Sequence, residues 1–421
     1  MTKELAILES NLSGSGFTGI KLCKEAGYRV TFITRDVERY RRIPMGRAHI
    51  DAYVDEIVHC ETNYVDSVWE TMRAKFEAST FKAFLTLSEY DIVVTSEIAT
   101  RLGLPSLDPE AARKARNKHL TRVAAAAAGV PIPRFVALKS RDEIADALAY
   151  VGLPCIVKPA DETSSTDVVK CISREQVIAH FDLIKSKIAN VRGQDRYPAI
   201  LIEQCIKGHE VSVETLTIDG RHHVYGVTDK MLAGKRHFVE VGHSFPSSLP
   251  EDLVRECERI ACASLDAVGF NMGAAHVELK IDETGPKLIE INGRPGGDRI
   301  PDLVKLVTGR DPVEDHVDLF IGRSVSPPQV EKGGGAAISF VTAPEGKIVD
   351  VAGIDEIAYC SAIREVVLED LADRIVEPLT KSSTRLGYVI ATGGNGYEAW
   401  KRAETARQML NITIEPGFDR P

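Results

Sequence analysis

Short apolar runs separated by longer mixed stretches mark the first part of the chain. "LAIL" (5–8), "RVTFIT" (29–34) and "FKAFLTLS" (81–88) have the length and composition of buried strands, and the stretches between them are long enough for helices. Residues 1–112 therefore predict β-α-β units around a parallel sheet, an open α/β domain. At Asp108-Pro109 the pattern turns helical, because Asp is a good N-cap and Pro is tolerated in the first turn; this helix is expected to run on through a basic segment, followed by an alanine-rich helix. "GVPIPRFVAL" (129–138) then stops helical structure and begins a strand. From there to about residue 325 the chain alternates apolar and polar positions in "PCIVKPA", "AILIEQCIKGHEVSVETLTIDG", "HHVYGVTDKM", "AAHVELKID" and "PKLIEINGRPGG", which predict antiparallel strands and an α+β unit. "PPQVEKGGG" (327–335) reads as a linker, and the remainder as a strand-rich unit closing with the helix "NGYEAWKRAETARQML". The expected units are 1–112, 113–328 and 329–421, with no internal repeat.

Composition narrows the function. The 421 residues are 44% hydrophobic and 27% charged, enough for a large core, and the net charge of −9 argues against a general nucleic-acid or anionic-membrane surface. Small molecules are the expected partners. Eight cysteines lie singly, without a C-x-x-C pair, and read as buried thiols of a reducing compartment. No run approaches a membrane span and "MTKELAILES" lacks a signal-peptide core, so the cytoplasm is the expected location.

Two groups of residues carry chemistry. "HVELK" holds Glu278, and "LIEINGR" holds Glu290, Asn292 and Arg294, which share one face if the strand continues that far. Two carboxylates and an amide oxygen suit Mg²⁺ ions bridging phosphate oxygens, against the plainer alternative of a solvated polar face. Lys158, at the end of the apolar "CIVKPA", and Lys118, after "KARN", are the candidates for phosphate contacts. "LSGSGFTGI" places Gly14, Gly16 and Gly19 at G-x-G-x-x-G spacing with Asp36 ending the next strand, which fits a dinucleotide turn or an ordinary glycine-rich strand-to-helix turn.

The order of these elements resembles the ATP-grasp superfamily over nearly the whole chain. The resemblance implies that Lys118 and Lys158 contact ATP phosphates, and that "IEQCIKGHEVSVE" is the hinge between two subdomains. By the same match Glu203, Gln204, Cys205 and Ile206 meet adenine, Glu210 meets ribose, Glu278, Glu290 and Asn292 hold the metal, and Arg294 is the arginine of the E-x-N-x-R pattern. The glycine-rich turn of the first domain then faces the site without binding NAD. One departure is the loop "ADETSSTDVVK", which has no glycine between Ala160 and Lys170 where many members have a glycine-rich phosphate loop. Ser164, Ser165 and Thr166 are its candidate donors.

Within the superfamily, "AAHVELK", "EINGRPGGD", "VTDKMLAGKRHFVEVGHSFPS" and "LGYVIATGGNGYEAWKRAETA" look most like the L-amino-acid ligases of the bacilysin-synthase and dapdiamide-synthase type. That resemblance implies ATP with Mg²⁺, or Mn²⁺ in its place, and an acyl phosphate made from a carboxylate and then attacked by an amino acid, with release of ADP and phosphate. Lys158, Glu290 and Arg294 would be the catalytic residues, Arg294 holding the carboxylate. A brace between Arg294 and Asp298 is the plainer alternative. Lys230, Arg236, Glu240 and His243 are candidates for substrate contacts, as is the "PGGD" turn with Gly296, although each charge could be a surface loop charge. The C-terminal unit also resembles that of biotin carboxylase and related purine-pathway enzymes, which keeps a bicarbonate-using reaction open; the resemblance leaves a homodimer open as well.

Overall fold

The computed structural model describes residues 3–415 apart from residues 13, 235–237, 329–332, 359, 369–370 and 372–373. Residues 329–332 of the "PPQVEKGGG" linker and the candidate Arg236 fall outside the described residues.

Strand β1 (Glu4–Leu8), β2 (Arg29–Thr34), β3 (Glu56–His59) and β4 (Phe81–Leu85) form a parallel sheet in the order β3-β2-β1-β4, as the helix-length spacers between apolar runs require. The helix that follows β1 starts at Gly14, and a side chain at Gly19 would collide with Leu87, so that glycine serves close packing. Asp36 is exposed and accepts from Glu38 N–H at 3.0 Å, ending β2 as a local turn cap with no tie to the glycine turn.

A second sheet, antiparallel, contains β5 (Phe135–Leu138), β6 (Cys155–Pro159), β7 (Val169–Cys171) and β8 (Ile200–Gln204) in the order β5-β8-β6-β7. Its apolar face is covered by the helices Ile144–Val151 and Arg174–Lys185. The largest sheet takes β9 (His209–Ile218), β10 (Arg221–Ala233), β11 (Val239–Phe245), β12 (Gly273–Asp282), β13 (Gly285–Asn292) and β14 (Gly335–Val341). β15 (Gly346–Ala352) leaves it, β16 (Ile363–Leu368) rejoins it, β17 (Ile375–Val376) leaves again, and β18 (Gly387–Gly393) returns, giving the order β13-β12-β9-β10-β11-β14-β18-β16. β15, β17 and β19 (Asn411–Glu415) make a small separate sheet. Because β14 pairs with β11, strands β14, β18 and β16 continue the same sheet that carries the carboxylates. The helix Glu251–Val268 buries its apolar stripe on one face of that sheet, and the helices Ile300–Thr308 and Pro312–Phe320 cover the other.

The expected continuous helix after Asp108 is interrupted. Asp108 does cap a helix, Pro109–Arg116, but Asn117 caps a new one, Lys118–Ala127, by accepting from His119 and Leu120 N–H at 3.0 and 3.2 Å. The break turns Lys118 from a solvated helix charge into a buried first-turn residue. The cysteines are not uniformly buried: Cys60, Cys205 and Cys262 are half-buried and Cys360 is exposed.

Candidate active site

A cleft of about 740 Å³, solvent at its mouth included, lies between the β5–β8 sheet and the β12–β13 edge of the large sheet. Its walls bring together Lys118, Lys158, Glu203, Gln204, Cys205, Ile206, Glu210, Glu278 and Glu290, residues spread over more than 170 positions. Three elements account for this. Lys118 opens its helix beside Ala160, whose carbonyl takes the Lys118 N–H at 2.9 Å. Lys158 ends β6, and β8 runs antiparallel beside it before the chain crosses at 205–208 into β9. Glu278 and Glu290 face each other across the β12–β13 pair, with Asn292 opposite His276, and a bulge next to Glu278 breaks the register.

The cations are already partnered. Lys118 Nζ lies 2.9 Å from Glu290 Oε1, and it also donates to the Glu162 carbonyl. Lys158 Nζ is 2.7 Å from Glu203 Oε2, while Arg122, one helical turn beyond Lys118, approaches the same carboxylate at 2.9 Å. Burial pushes the Glu203 carboxyl up, but Arg122 and then Lys158 outweigh it and hold it below its ordinary value; burial draws the Lys158 ammonium down. The Glu203 side chain is thus committed to cations, which leaves backbone groups of the 203–206 segment to meet a base.

Behind the carboxylates sits Lys230. It belongs to β10, not to a surface loop, and its Nζ touches Glu278 at 3.0, Glu210 at 3.2 and Glu240 at 3.4 Å. Although burial opposes the charge, Glu278, Glu210 and Glu240 hold Lys230 well above its ordinary value. Burial likewise pushes Glu278 up, yet Lys230 and His276 hold it well below the usual carboxylate range. Two residues missed from the sequence complete the group. Lys280 lines the cleft and reaches Glu210 at 3.3 Å; buried His276 contacts Glu214 at 3.0 Å and Glu278 at 3.3 Å. His276 is raised to about 9, because Glu214 more than offsets burial.

The loop without glycine reaches turn geometry by other means. Ser164, Ser165 and Asp167 take φ of 54°, 55° and 57°, Val168 N–H bonds the Ser165 carbonyl at 3.1 Å, and Lys187 holds Asp167 at 2.6 Å. Thr163, Ser165 and Thr166 line the cleft.

The substrate candidates divide. β13 ends at Asn292, so Arg294 is not on its face; it sits in the following turn, with Nε 3.6 Å from Glu89 Oε2 and Nη1 donating to the Pro295 carbonyl at 2.9 Å. Glu89 is buried and raised to about 7 by that burial, against the pull of Arg294. The alternative brace to Asp298 is absent among the described contacts, since Asp298 is taken by Arg385 and His243. Glu240 and His243 are on β11, half-buried and buried respectively, neither of them loop charges. Gly296 packs over the Glu214–His276 pair, where a Cβ would come within 3.1 Å of both side chains.

As a metal site the donor set is partial. Among the described residues no three His, Cys, Asp or Glu side chains are arranged to hold an ion unaided, but opposed Glu278 and Glu290 with the Asn292 amide give hard oxygens of the kind Mg²⁺ shares with phosphates.

Comparison with known proteins identifies the class. Residues 151–302 match the ATP-grasp domain family, so this part of the chain is an ATP-grasp domain. Residues 339–415 match the L-amino acid ligase C-terminal domain 2, which places the chain on the carboxylate-amine ligase side of that class. The chain is 25% identical over 367 residues to an uncharacterised protein, y4rH, of Sinorhizobium fredii, covering 86% of this chain and 75% of that protein. It is 27% identical over 256 residues to alanine–anticapsin ligase of Bacillus subtilis, covering 56% of this chain and only 53% of the relative's length. The L-amino acid ligase of Bacillus licheniformis has the same fold, with a TM-score of 0.81 at 21% identity over 98% of this chain and 99% of that one. Among the described residues no helix is long and apolar enough to cross a membrane.

Proposed function

We propose that the protein joins a carboxylate to an amine, activating the carboxylate as an acyl phosphate at the expense of ATP and releasing ADP and phosphate. The observation that carries this reading is the convergence of Lys118, Lys158 and the opposed Glu278 and Glu290 in one cleft beside the 203–206 segment. Adenine would lie against the backbone of Glu203–Ile206, among Ile156, Ile206 and Ile289, with Glu210 taking the ribose. Lys118 and Lys158 would exchange part of their contact with Glu290 and Glu203 for phosphate oxygens, favouring the charge that develops during transfer. Glu278, Glu290 and Asn292 would hold Mg²⁺, or Mn²⁺, which supplies neutralisation of phosphate charge when bound.

Arg294 would present its planar fork to the carboxylate, which then lies on the metal side of the cleft. Turns 163–166 would close on the phosphates with hydroxyl and backbone donors and exclude water from the acyl phosphate. The amine acceptor, an amino acid by similarity to the L-amino acid ligases, would displace phosphate to form a dipeptide-like amide.

The test is a screen of carboxylate and amino acid pairs for phosphate release, with the nucleotide product identified. ADP formation that depends on both substrates supports the reading. AMP with pyrophosphate would refute it, and strict dependence on bicarbonate would move the protein to the carboxylase-like reaction.

A further inference from the structure

Immediately after the arginine turn, two consecutive non-glycine residues take the left-handed backbone region: Asp298 at φ 50° and Arg299 at φ 65°. Such geometry persists only where surrounding contacts impose it. Beside His243 on Asp298 and Asp302 on Arg299, they come from strands and loops more than sixty residues further along the chain. Arg385 forks both oxygens of Asp298, at 2.7 and 2.6 Å, with its guanidinium stacked 3.7 Å from the centre of the Phe340 ring on β14. Arg299 donates to Tyr388 OH of β18 and to Glu365 of β16, each at 2.9 Å. On its other side the turn is pressed by Gly296 onto the Glu214–His276 pair, whose imidazole contacts Glu278.

We propose that Arg385 is a positioning residue for the ligase reaction: by forking Asp298 it clamps the 294–299 turn and so sets where Arg294, beside Glu89, stands relative to the cleft. The C-terminal segment thereby braces the carboxylate end of the site directly, and reaches the nucleotide end less directly, through Glu240, which accepts from Ser382 Oγ at 3.0 Å and contacts Lys230. Among the described contacts Arg294 is held by Glu89 at 3.6 Å and by its neighbour's carbonyl, so its aim depends on the backbone that carries it. Lysine at 385 keeps the charge but cannot make the two-point contact.

The kinetic consequence rests on the function proposed above; the structural one does not. Hydrogen exchange on the full-length protein reads the clamp directly, because the amides of Ile300, Asp302 and Leu303 bond the carbonyls of Gly297 and Arg299. Arg385→Lys and Arg385→Ala should raise exchange of those amides tenfold or more, with β8 amides unchanged. Asp298→Asn should do the same, and combining it with Arg385→Ala should add little. In turnover, kcat/KM for the carboxylate should fall tenfold or more in Arg385→Lys while KM for ATP stays within twofold. Unchanged exchange at 300–303 in both Arg385 variants overturns the clamp. An ATP KM that worsens as much as the carboxylate kcat/KM overturns the division of the site. A wild-type protein that turns over no carboxylate refutes the ligase reading alone, and exchange still decides the clamp.

Discussion

Lys230→Met removes one buried ammonium while keeping the length and apolar stem of the side chain. Its Nζ meets three carboxylates at 3.0 to 3.4 Å. At about 3 Å and an effective dielectric of about 20, each contact has a gross attraction of about 5 kcal/mol, most of it offset by desolvation. Deleting one partner of a buried ionic group leaves the others uncompensated, and a loss of about 3–5 kcal/mol of unfolding free energy is expected. The loss has a pH signature. Glu278 is held well below its ordinary value of 4.5, with Lys230 the largest influence opposing burial, so in the wild type it contributes stability above pH 4.5 that disappears as pH falls through the depressed native value. The variant lacks most of that contribution. The gap between the two proteins should therefore be full near neutrality and narrow below about pH 4.5. Urea unfolding followed by circular dichroism at a series of pH values measures it. A gap under about 1 kcal/mol, the range of exposed pairs, or one that stays flat on acidification would refute the account.

Glu290→Gln should abolish turnover with an unchanged circular dichroism spectrum, because one anionic oxygen beside Lys118 and opposite Glu278 is lost; an active variant would remove Glu290 from the phosphate end. Arg294→Lys should leave nucleotide affinity nearly unchanged in a calorimetric titration and lower turnover by about two orders of magnitude or more, since the two-point fork is gone; lost ATP binding with an intact carboxylate KM would contradict the role given to it. His316, buried and accepting from Ala274 N–H at 3.1 Å, is lowered to about 4 by that burial. The unfolded chain binds its proton first as pH falls from 6.5, so this group alone should cost about 3 kcal/mol of stability by pH 4, and His316→Gln, which keeps an acceptor, should flatten that slope.

Which of these residues the sequence revealed depends on how local their signal is. Lys158, Glu278 and Glu290 sit in short strands whose apolar neighbours announce burial, and alternation is enough to read them. The same alternation, carried two positions either way from Glu278, reaches His276 and Lys280, so those could have been found. Arg122 is four residues from Lys118 on one helix and carried a legible signal too. Asn117 is a preferred cap residue, but the run of basic and alanine residues around it masked the break in the helix. Lys230, Glu240 and His243 read equally as substrate contacts or as loop charges because "DKMLAGKRHFVEVGH" is rich in polar residues, whereas β10 and β11 run through most of it. Arg385 lies 87 positions from Asp298, and no local pattern joins them; only the return of β18 to the large sheet does.

Ion pairing also explains how so charged a cleft is built into the fold. Lys118, Arg122, Lys158, Lys230 and Lys280 are set against Glu203, Glu210, Glu240, Glu278 and Glu290, so each of these cations has a carboxylate oxygen within 3.3 Å. An unpaired ammonium at these depths would lose its proton or its place, because burial of a lone charge costs far more than a single contact returns. On the proposed reading, phosphates would compete with carboxylates for the lysines, in place of water, and each carboxylate released from a lysine would become available to a divalent cation. Lys118 and Glu290 are the clearest case: their contact at 2.9 Å is broken or shared when either meets its proposed ligand. On the proposed reading, nucleotide and metal binding would be coupled through these same side chains, each ligand releasing the partner the other needs.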